Sequence, residues 1–261
     1  MKEVARGYDV VGNIVVVKFS RDAKAKEKKA WASTFLRNQR SVRTVLEKLE
    51  RFKGRLRVQK TRHLAGEKTK EALYKENGCV FRFNVDTCYF SPRLAAERKE
   101  IAKKVKKGEK VLVLFGGVAP FAIVIARTGK PRRVVSIELS RACTVYAKEN
   151  VKRNKVEGIV EIVQGDVRKK VPLLRERFDR IVMARPNLND SFLDSVFPKA
   201  NKGCIIHYYG FCHESELEGM KFAILVEARG AGKKIKIFNV EKAGDIGARK
   251  YRYRLDIKVL N

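Results

Sequence analysis

Apolar and polar positions follow two different patterns along the chain, which change near residue 107. The first part mixes strand-like apolar runs (YDVVGNIVVVKF, RTVLEKL, RLRVQKTRHL and NGCVFRFNVDTCYF) with one short basic helix, KEKKAWASTFLRNQ. This mixture predicts a small α+β lobe over residues 1–107.

The second part, residues 108–261, alternates short buried strands with amphipathic helices. Strand patterns lie in KVLVLFGG, RVVSIEL, VEIVQGD, FDRIVMAR and GCIIHYYGF, with helical patterns in PFAIVIARTG, SRACTVYAKENVKRN and NDSFLDSVFPKA. Such alternation is typical of parallel βαβ units in an open doubly wound sheet. Two further strands in IKIFNVEKAGDIGARKYRYRLDIKVL predict an antiparallel edge. The predicted class is therefore α/β, with a seven-stranded Rossmann-like sheet of the methyltransferase variety.

The balance of charged residues indicates a class of binding partner. Lys and Arg number 59 against 29 Asp and Glu, a formal net charge of +30. A net charge of magnitude roughly 2 to 8 is enough to keep a small domain soluble. Because each Lys or Arg that neutralises a phosphate releases counterions, the excess predicts a nucleic acid partner. Solvated lysine faces of a generally basic proteome are the alternative interpretation.

Other features limit the compartment and the cofactor class. No apolar run approaches the roughly 18 to 20 residues that span a bilayer, and MKEVARGYDVVG lacks the apolar stretch of a signal peptide. A cytoplasmic protein without membrane contact is predicted. The five cysteines fall at no C-x-x-C spacing and only three histidines are present, so neither a disulfide nor a metal site is predicted.

Candidate ligand-binding residues follow the first three strands of the second part. In open α/β sheets ligands bind beyond the carboxyl ends of the strands. The Gly-rich FGGVAP turn lets the backbone approach a ligand, Glu138 ends the second strand and can accept from ribose hydroxyls, and Asp166 can accept from an adenine amino group. Each is weak alone: Asp166 fits a turn or cap residue and Glu138 a solvated strand end equally well. Their recurrence after three successive strands favours a nucleotide-like cofactor.

A family resemblance rests on longer motifs. The run LAGEKTKEALYKENGCVFRFNVDTCYFSPRLAAER, followed by VLFGGVAPF, SIEL, QGDV and IIHYYGF, resembles the archaeal and eukaryotic tRNA guanosine-37 N1-methyltransferase family. The resemblance runs from near Tyr8 to the LDIKV close to the end. It implies S-adenosylmethionine as cofactor and the tRNA anticodon stem-loop as partner. The extra N-terminal domain with which many archaeal members contact the tRNA elbow is not expected in this sequence.

The resemblance also implies roles for individual residues. Guanine N1 carries a proton that must leave before its lone pair attacks the methyl group, and a positioned carboxylate can take that proton. Glu97 in SPRLAAER matches the general base, and Arg57 matches a cation that stabilises negative charge on O6. From the residues alone, Glu97 is as readily a helix-surface acid, Arg57 a solvated strand residue, and Tyr89 with Phe90 a core aromatic pair. Arg93 matches a position that faces the RNA.

Thirteen positions match cofactor contacts of the family. They are Tyr89, Phe90, Arg98, Phe115, Gly117, Val118, Pro120, Glu138, Leu139, Asp166, Val167, Ala184 and Pro186.

Several positions depart from the family pattern. Val113 stands where the family's D-M-F-A-G-V-G-P-F motif has its acid, and Gly116 and Ala119 are also altered. Ser140 replaces the Asn of E-L-N, and Ala184-Arg185-Pro186 replaces N-L-P. Loss of the Asn side chain removes a polar contact worth a few kcal/mol in a dry site. Asn187, three residues further on, is a hypothetical substitute.

Three functions follow from these residues. The first is methylation of N1 of guanosine 37, for which the target base must be splayed out of the anticodon loop into the cofactor cleft. The second is the related wyosine-pathway transfer of the aminocarboxypropyl group of the same cofactor, which the P-R-L of SPRLAAER disfavours. The third is a catalytically silent tRNA-binding protein, which the losses at Val113 and Ala184 favour and the retained Glu97, Glu138 and Asp166 disfavour. A monomer is the default expectation.

Overall fold

The structure, a computed structural model, describes residues 4–50, 52, 54–185, 187–188 and 190–261. In the first part of the chain six strands and two helices form. Their bounds are β1 Ala5–Val11, β2 Ile14–Phe19, α1 Ala25–Asn38, β3 Thr44–Lys48, β4 Thr61–Gly66, β5 Glu71–Glu76, β6 Cys79–Asn84 and α2 Ala95–Lys104.

The first part contains a four-stranded sheet in the order β1-β2-β3-β4. Strand β2 pairs antiparallel with β1 and parallel with β3, and α1 makes the crossover. The run IVVV in β2 is buried throughout because both faces of the strand are covered. Val15 and Val17 pack toward α1, whereas Ile14 and Val16 join the core that continues into the second part.

The described residues of the second part form seven strands and five helices. Their bounds are β7 Lys110–Leu114, α3 Pro120–Thr128, β8 Arg133–Glu138, α4 Arg141–Arg153, β9 Val160–Gln164, α5 Val167–Lys170, β10 Phe178–Met183, α6 Leu193–Val196, β11 Ala200–His213, α7 Leu217–Gly230, β12 Ile235–Gly247 and β13 Lys250–Val259.

All seven strands form one sheet in the order β12-β13-β11-β10-β7-β8-β9. Pairing is parallel from β11 through β9, and β13 pairs antiparallel with both β11 and β12. The strand order reverses between β7 and β10, so the carboxyl end of β7 is the switch point where such sheets bind ligands. The predicted α/β class with a seven-stranded, doubly wound sheet is confirmed.

Strands β5 and β6 and helix α2 attach the first part to the large sheet. Asn150 of α4 and Asn154, the C-cap residue just after it, use their side-chain oxygens to accept from the backbone N–H groups of Arg82 and Val80, both at 2.8 Å. Buried residues of β6, α2 and α3 share one hydrophobic core. The division at residue 107 stays a prediction.

Two local predictions need correction, and two elements were missed. RLRVQKTRHL is not a continuous strand: residues 54–57 form a turn and β4 begins only at Thr61. The helix predicted in NDSFLDSVFPKA is a single turn, α6, followed by the 3-10 turn Phe197–Lys199 that contains Pro198. Strand β5 and helix α7 were not predicted, since EALYKE and LEGMKFAILVEARG show weak alternation and weak amphipathicity.

Candidate functional site

A cavity lies beyond the carboxyl ends of β7, β8 and β9, and we call it the strand-end cavity. Phe115 and Gly117 follow β7, Glu138 ends β8, and Asp166 follows β9, and all four line it. The predicted residues that line this cavity are Arg57, Tyr89, Phe115, Gly117, Glu138, Leu139, Asp166, Val167 and Ala184. Nine of the residues singled out in the sequence therefore surround one cavity, and their roles as cofactor or catalytic contacts stay predictions.

The loop after β7 has two non-glycine residues in the left-handed region, Phe115 at φ +59° and Ala119 at φ +66°. Gly117, at φ +55°, presents its backbone N–H to the side chain of Glu138 at 2.8 Å. Gly116 has no room for a side chain, because a Cβ there would lie 2.2 Å from the hydroxyl of Ser136. Ser136 therefore accounts for glycine at the position where the family motif has Ala.

A test of this loop compares two alanines. An L residue in the left-handed region costs roughly 1–2 kcal/mol, a cost that glycine avoids. We expect Ala119→Gly to keep the free energy of unfolding within about 0.5 kcal/mol, because relief of this strain offsets the lost methyl group. Ala122→Gly, equally buried but inside α3, should cost about 1–2 kcal/mol. Equal losses in urea unfolding would contradict the strain.

Glu138 is fixed as a bidentate acceptor of backbone N–H groups. Its two carboxylate oxygens accept from Gly117 at 2.8 Å and from Ser140 at 2.7 Å. Burial raises the pKa of Glu138, against the lowering effect of these N–H donors. A half-buried acceptor at the floor of the strand-end cavity suits the two hydroxyls of a ribose. Ser140, which replaces the family's Asn, serves as N-cap of α4 and accepts from Cys143 N at 3.3 Å.

Asp166 is a helix cap that also lines the strand-end cavity, and its contact with an adenine amino group stays a prediction. Its side chain caps the short α5 by accepting from Arg168 N at 2.9 Å, and it also lines the cavity. The second carboxylate oxygen receives Arg55 Nη2 at 2.9 Å. Arg55 belongs to the 54–57 turn, so this ion pair brings the first part of the chain across the strand-end cavity.

A second, wider cavity of about 770 Å³ adjoins the first, and we call it the outer cavity. Four residues line both cavities: Arg57, Tyr89, Phe211 and Arg252. The guanidinium carbon of Arg57 lies 3.9 Å from the ring centroid of Tyr89, within the range of a cation–π contact. Arg57 Nε is buried and has no hydrogen-bond partner among the described residues. Arg57 therefore stands at the junction of the two cavities with an unused donor.

Glu97 lies behind the strand-end cavity rather than on its surface. Its Oε1 accepts from the hydroxyl of Tyr209 at 2.6 Å and from Arg254 Nη1 at 2.5 Å, and the side chain is 12% exposed. Tyr209 lines the cavity, as does Leu94, one helical turn before Glu97. The carboxylate is thus a buried acceptor one side chain away from the cavity, and not a helix-surface acid.

Four other predicted contacts do not line the strand-end cavity. Arg98 is buried in a bidentate ion pair with Glu76, both distances being 2.5 Å. Phe90 stacks on Phe83 at 4.8 Å between ring centroids and lines the outer cavity. Val118 is fully buried and Pro120 begins α3. Pro186 lies outside the described residues.

Ala184 and Arg185 stand where the family has N-L, and the side chain of Arg185 holds the loop that follows by hydrogen bonds. Arg185 is 6% exposed and donates to the backbone carbonyls of Asp190, at 2.7 Å, and of Leu188. Burial lowers the pKa of Arg185. Asn187 in the same loop is exposed and lines the outer cavity. The proposed substitute amide therefore faces the outer cavity and not the strand-end cavity.

Within the described ranges, no group of three or more His, Cys, Asp or Glu side chains is placed to hold a metal ion. No helix in that same part of the chain is long and apolar enough to cross a membrane.

Known proteins match the chain along most of its length. Residues 72–235 match the TRM5/TYW2 methyltransferase domain family, and residues 1–69 match the TYW2 N-terminal domain family. Trm5b of Pyrococcus abyssi, a tRNA (guanine(37)-N(1))-methyltransferase, is 31% identical over 97% of this chain and 74% of its own length. Taw22 of Nanoarchaeum equitans, a tRNA (guanine(37)-N(1))/4-demethylwyosine(37)-methyltransferase, is 32% identical over 97% of this chain and 99% of its own length.

A relative with another activity also matches. The tRNA(Phe) (4-demethylwyosine(37)-C(7)) aminocarboxypropyltransferase of Methanocaldococcus jannaschii is 28% identical over 82% of this chain and 84% of its own length.

Solved structures agree with these matches. The crystal structure of Pyrococcus abyssi Trm5b superposes with a TM-score of 0.86 at 30% identity, covering 98% of this chain and 76% of that one. The complex of aTrm5 with tRNALeu superposes with a TM-score of 0.84 at 26% identity, covering 99% of this chain and 73% of that one. The chain belongs to the TRM5/TYW2 methyltransferase family, as its motifs predicted.

Proposed function

We propose that this protein transfers a methyl group from S-adenosylmethionine to N1 of guanosine 37 in tRNA. The observation that carries the proposal is the pair of joined cavities, one with nucleotide-binding acceptors at strand ends and one wide enough to receive a base. Arg57 and Tyr89 stand where the two meet. Family membership and the Trm5b and Taw22 relatives support the same reaction.

The strand-end cavity suits an adenosine-containing cofactor. Glu138 can accept from ribose hydroxyls. Asp166 can accept from the adenine amino group once its ion pair with Arg55 opens. Phe115 and Gly117 leave the backbone near β7 open to the methionine portion. When bound, S-adenosylmethionine supplies a methyl group that its sulfonium makes electrophilic.

The residues around the junction of the cavities would act on the base. A guanosine splayed out of the anticodon loop would enter through the outer cavity. Arg57 would donate its Nε–H, which has no partner among the residues that the structure describes, toward O6 and stabilise negative charge there. Glu97 would accept the N1 proton, reached between Leu94 and Tyr209. Transfer of the N1 proton to Glu97 leaves negative charge on N1 and O6, Arg57 stabilises it, and the freed N1 lone pair can attack the methyl group.

Cations line the entrance for the RNA. Around the outer cavity, Lys48, Arg57, Arg93, Lys250 and Arg252 outnumber Asp9 and Asp245. The segment KKVKKGEK, which the charge pattern also suggested for phosphate binding, runs into the amino end of β7, at the opposite edge of the sheet. We therefore assign phosphate contacts to the outer cavity.

Binding of tRNA is expected to weaken steeply with salt. Each phosphate contact adds about 0.9 to the slope of log affinity against log salt concentration for a duplex and about 0.7 for a single strand. Arg93→Ala should reduce that slope by about 1, whereas Lys107→Ala should leave it unchanged. Filter binding between low and physiological salt measures both slopes. A flat salt dependence, or equal effects of the two variants, would contradict phosphate binding at the outer cavity.

Transfer of the aminocarboxypropyl group is the second candidate. It is favoured by the match of residues 1–69 to the TYW2 N-terminal domain and by Ala184 in place of the family's Asn. Methylation of a 4-demethylwyosine intermediate, the second activity named for Taw22, is the third possibility within the family.

One experiment separates these activities. The protein is incubated with tRNA carrying unmodified guanosine 37 or with tRNA carrying 4-demethylwyosine, and with cofactor labelled in the methyl or in the carboxyl group. We expect methyl label in 1-methylguanosine, identified by nucleoside mass spectrometry. Carboxyl label in the nucleoside would establish aminocarboxypropyl transfer instead. Binding of tRNA without either label would favour the silent protein.

A further inference from the structure

Behind the strand-end cavity, a hydrogen-bonded network of buried polar side chains ends on Glu97. Arg254 is fully buried, and it donates to Glu97 Oε1 at 2.5 Å and to Asp256 Oδ1 at 3.0 Å. The hydroxyl of Tyr209, 1% exposed, donates to the same Oε1 at 2.6 Å. One oxygen of Glu97 therefore holds two donors from two neighbouring strands, β11 and β13.

This hydrogen-bonded network continues away from the cavity through His207. Asp256 Oδ1 lies 2.6 Å from His207 Nδ1, and Arg180 Nη1 lies 2.8 Å from His207 Nε2. A guanidinium can only donate, so Nε2 accepts and Nδ1 carries the hydrogen that Asp256 receives. Burial lowers the pKa of His207, which fits the neutral ring. Arg180 is in turn held by Glu109 at 2.7 Å.

These contacts restrict the side chain of Arg254 to one orientation. Its guanidinium also meets Glu100 at 2.7 Å and Glu241 at 2.9 Å. A buried charge network of this kind costs desolvation energy and is weak evidence for stability alone. A use in orienting a group that needs accurate placement is the better physical account, since misplacement by about 1 Å can cost about 100-fold in rate.

We propose that Tyr209 and Arg254 are positioning residues that hold Glu97 by Oε1 and so present Oε2 to the target base. The proposal rests on the proposed function, in which Glu97 is the general base. Among the described residues Oε2 has no hydrogen-bond partner, whereas Oε1 has two. Burial and the carboxylate of Glu97 raise the pKa of Tyr209, so its hydroxyl keeps its proton and remains a donor.

The test removes one hydroxyl at a time. Tyr209→Phe deletes the donor to Glu97, and Tyr253→Phe is the matched control. Tyr253 is 2% exposed, and its hydroxyl has no partner within the part of the chain that the structure describes. We expect Tyr209→Phe to lower kcat by about 10- to 100-fold, with KM for cofactor and tRNA changed by less than about twofold. Tyr253→Phe should leave both parameters unchanged.

A double-mutant cycle distinguishes positioning from a general structural role. In a Glu97→Gln background, Tyr209→Phe should cause no further loss, because the hydroxyl acts only through the carboxylate. A loss that adds fully to that of Glu97→Gln would overturn the proposal, as would a Tyr209→Phe rate equal to that of Tyr253→Phe.

Arg254→Lys provides the second variant, since lysine keeps the charge but cannot bridge Glu97, Glu100 and Asp256. The same loss of kcat with unchanged KM is expected at temperatures where its melting curve shows the folded state. Wild-type kcat in Arg254→Lys would overturn the part assigned to Arg254. A wild-type protein that transfers no group at all overturns the proposed function and this inference together, whereas an active wild type with an unaffected Tyr209→Phe overturns this inference alone.

Discussion

Glu97→Gln is expected to lower kcat for methyl transfer by about 100- to 10,000-fold, the usual contribution of a general base. Glutamine keeps the size of the side chain and can still accept from Tyr209 and Arg254 through its carbonyl oxygen, but it cannot take the N1 proton. Dissociation constants for cofactor and tRNA should therefore stay near the wild-type values. Single-turnover methylation with enzyme in excess measures the chemical step, and equilibrium binding measures the two affinities.

Glu100→Gln is the matched control for this substitution. Glu100 lies one turn further along α2 and contacts the same guanidinium of Arg254, at 2.7 Å, but its side chain is 40% exposed. Its removal should change kcat by less than about threefold, because exposed ion pairs contribute little. Equal losses for the two variants would mean that the network around Arg254, and not the carboxylate of Glu97, supports the reaction. Unchanged kcat in Glu97→Gln would remove Glu97 from the mechanism.

The strand-end part of the site could be predicted because its residues are local in sequence. Phe115, Glu138 and Asp166 each follow or end a strand, and parallel strands bring their carboxyl ends to one edge of the sheet. Strand existence and order were enough to bring these residues together. The exact side-chain partners, such as Gly117 N on Glu138, were not needed for that prediction.

The rest of the site depends on contacts between distant segments. Tyr209 appeared only as part of the apolar run GCIIHYYGF, in which a buried strand residue is the ordinary interpretation. Pairing of β11 with β13 sets Tyr209 opposite Arg254, and packing against α2 brings both to Glu97. The alternating YRYRLD of β13 was a usable signal, since a charged residue at every second position of an inner strand requires buried partners.

The 54–57 turn shows a different limit. RLRVQKTRHL alternates like a strand, yet Gly54 at φ +66° and Arg57 at φ +50° give a turn that reaches across the strand-end cavity. Nothing in the local pattern indicates this, because the turn is held by distant groups: Asp166 binds Arg55 and Tyr89 stacks on Arg57. Arg57 was matched through the resemblance, while Arg55 was missed.

Arg98→Met is expected to lower the free energy of unfolding by about 3–5 kcal/mol, the cost of leaving one member of a buried ion pair alone. Arg98 and Glu76 are both 2% exposed by side chain, and two parallel contacts of 2.5 Å join them. Arg98 also donates to the carbonyl of Ser91 at 3.0 Å. Methionine fills most of the volume but leaves the carboxylate of Glu76 in the core. Urea unfolding followed by circular dichroism measures the loss.

Two further variants identify the cause of that loss. Arg43→Met breaks an exposed pair with Glu67, 69% and 55% exposed and 3.6 Å apart, and should cost less than about 1 kcal/mol. The double variant Arg98→Met with Glu76→Leu removes both charges and should recover most of the stability, because a buried pair replaced by apolar side chains is often neutral or better. A stable Arg98→Met with weakened cofactor binding would instead support the cofactor contact that the resemblance implies. Retained cofactor affinity per folded molecule, together with recovery in the double variant, would assign Arg98 to the joint between β5 and α2 and leave the strand-end cavity to Glu138 and Asp166.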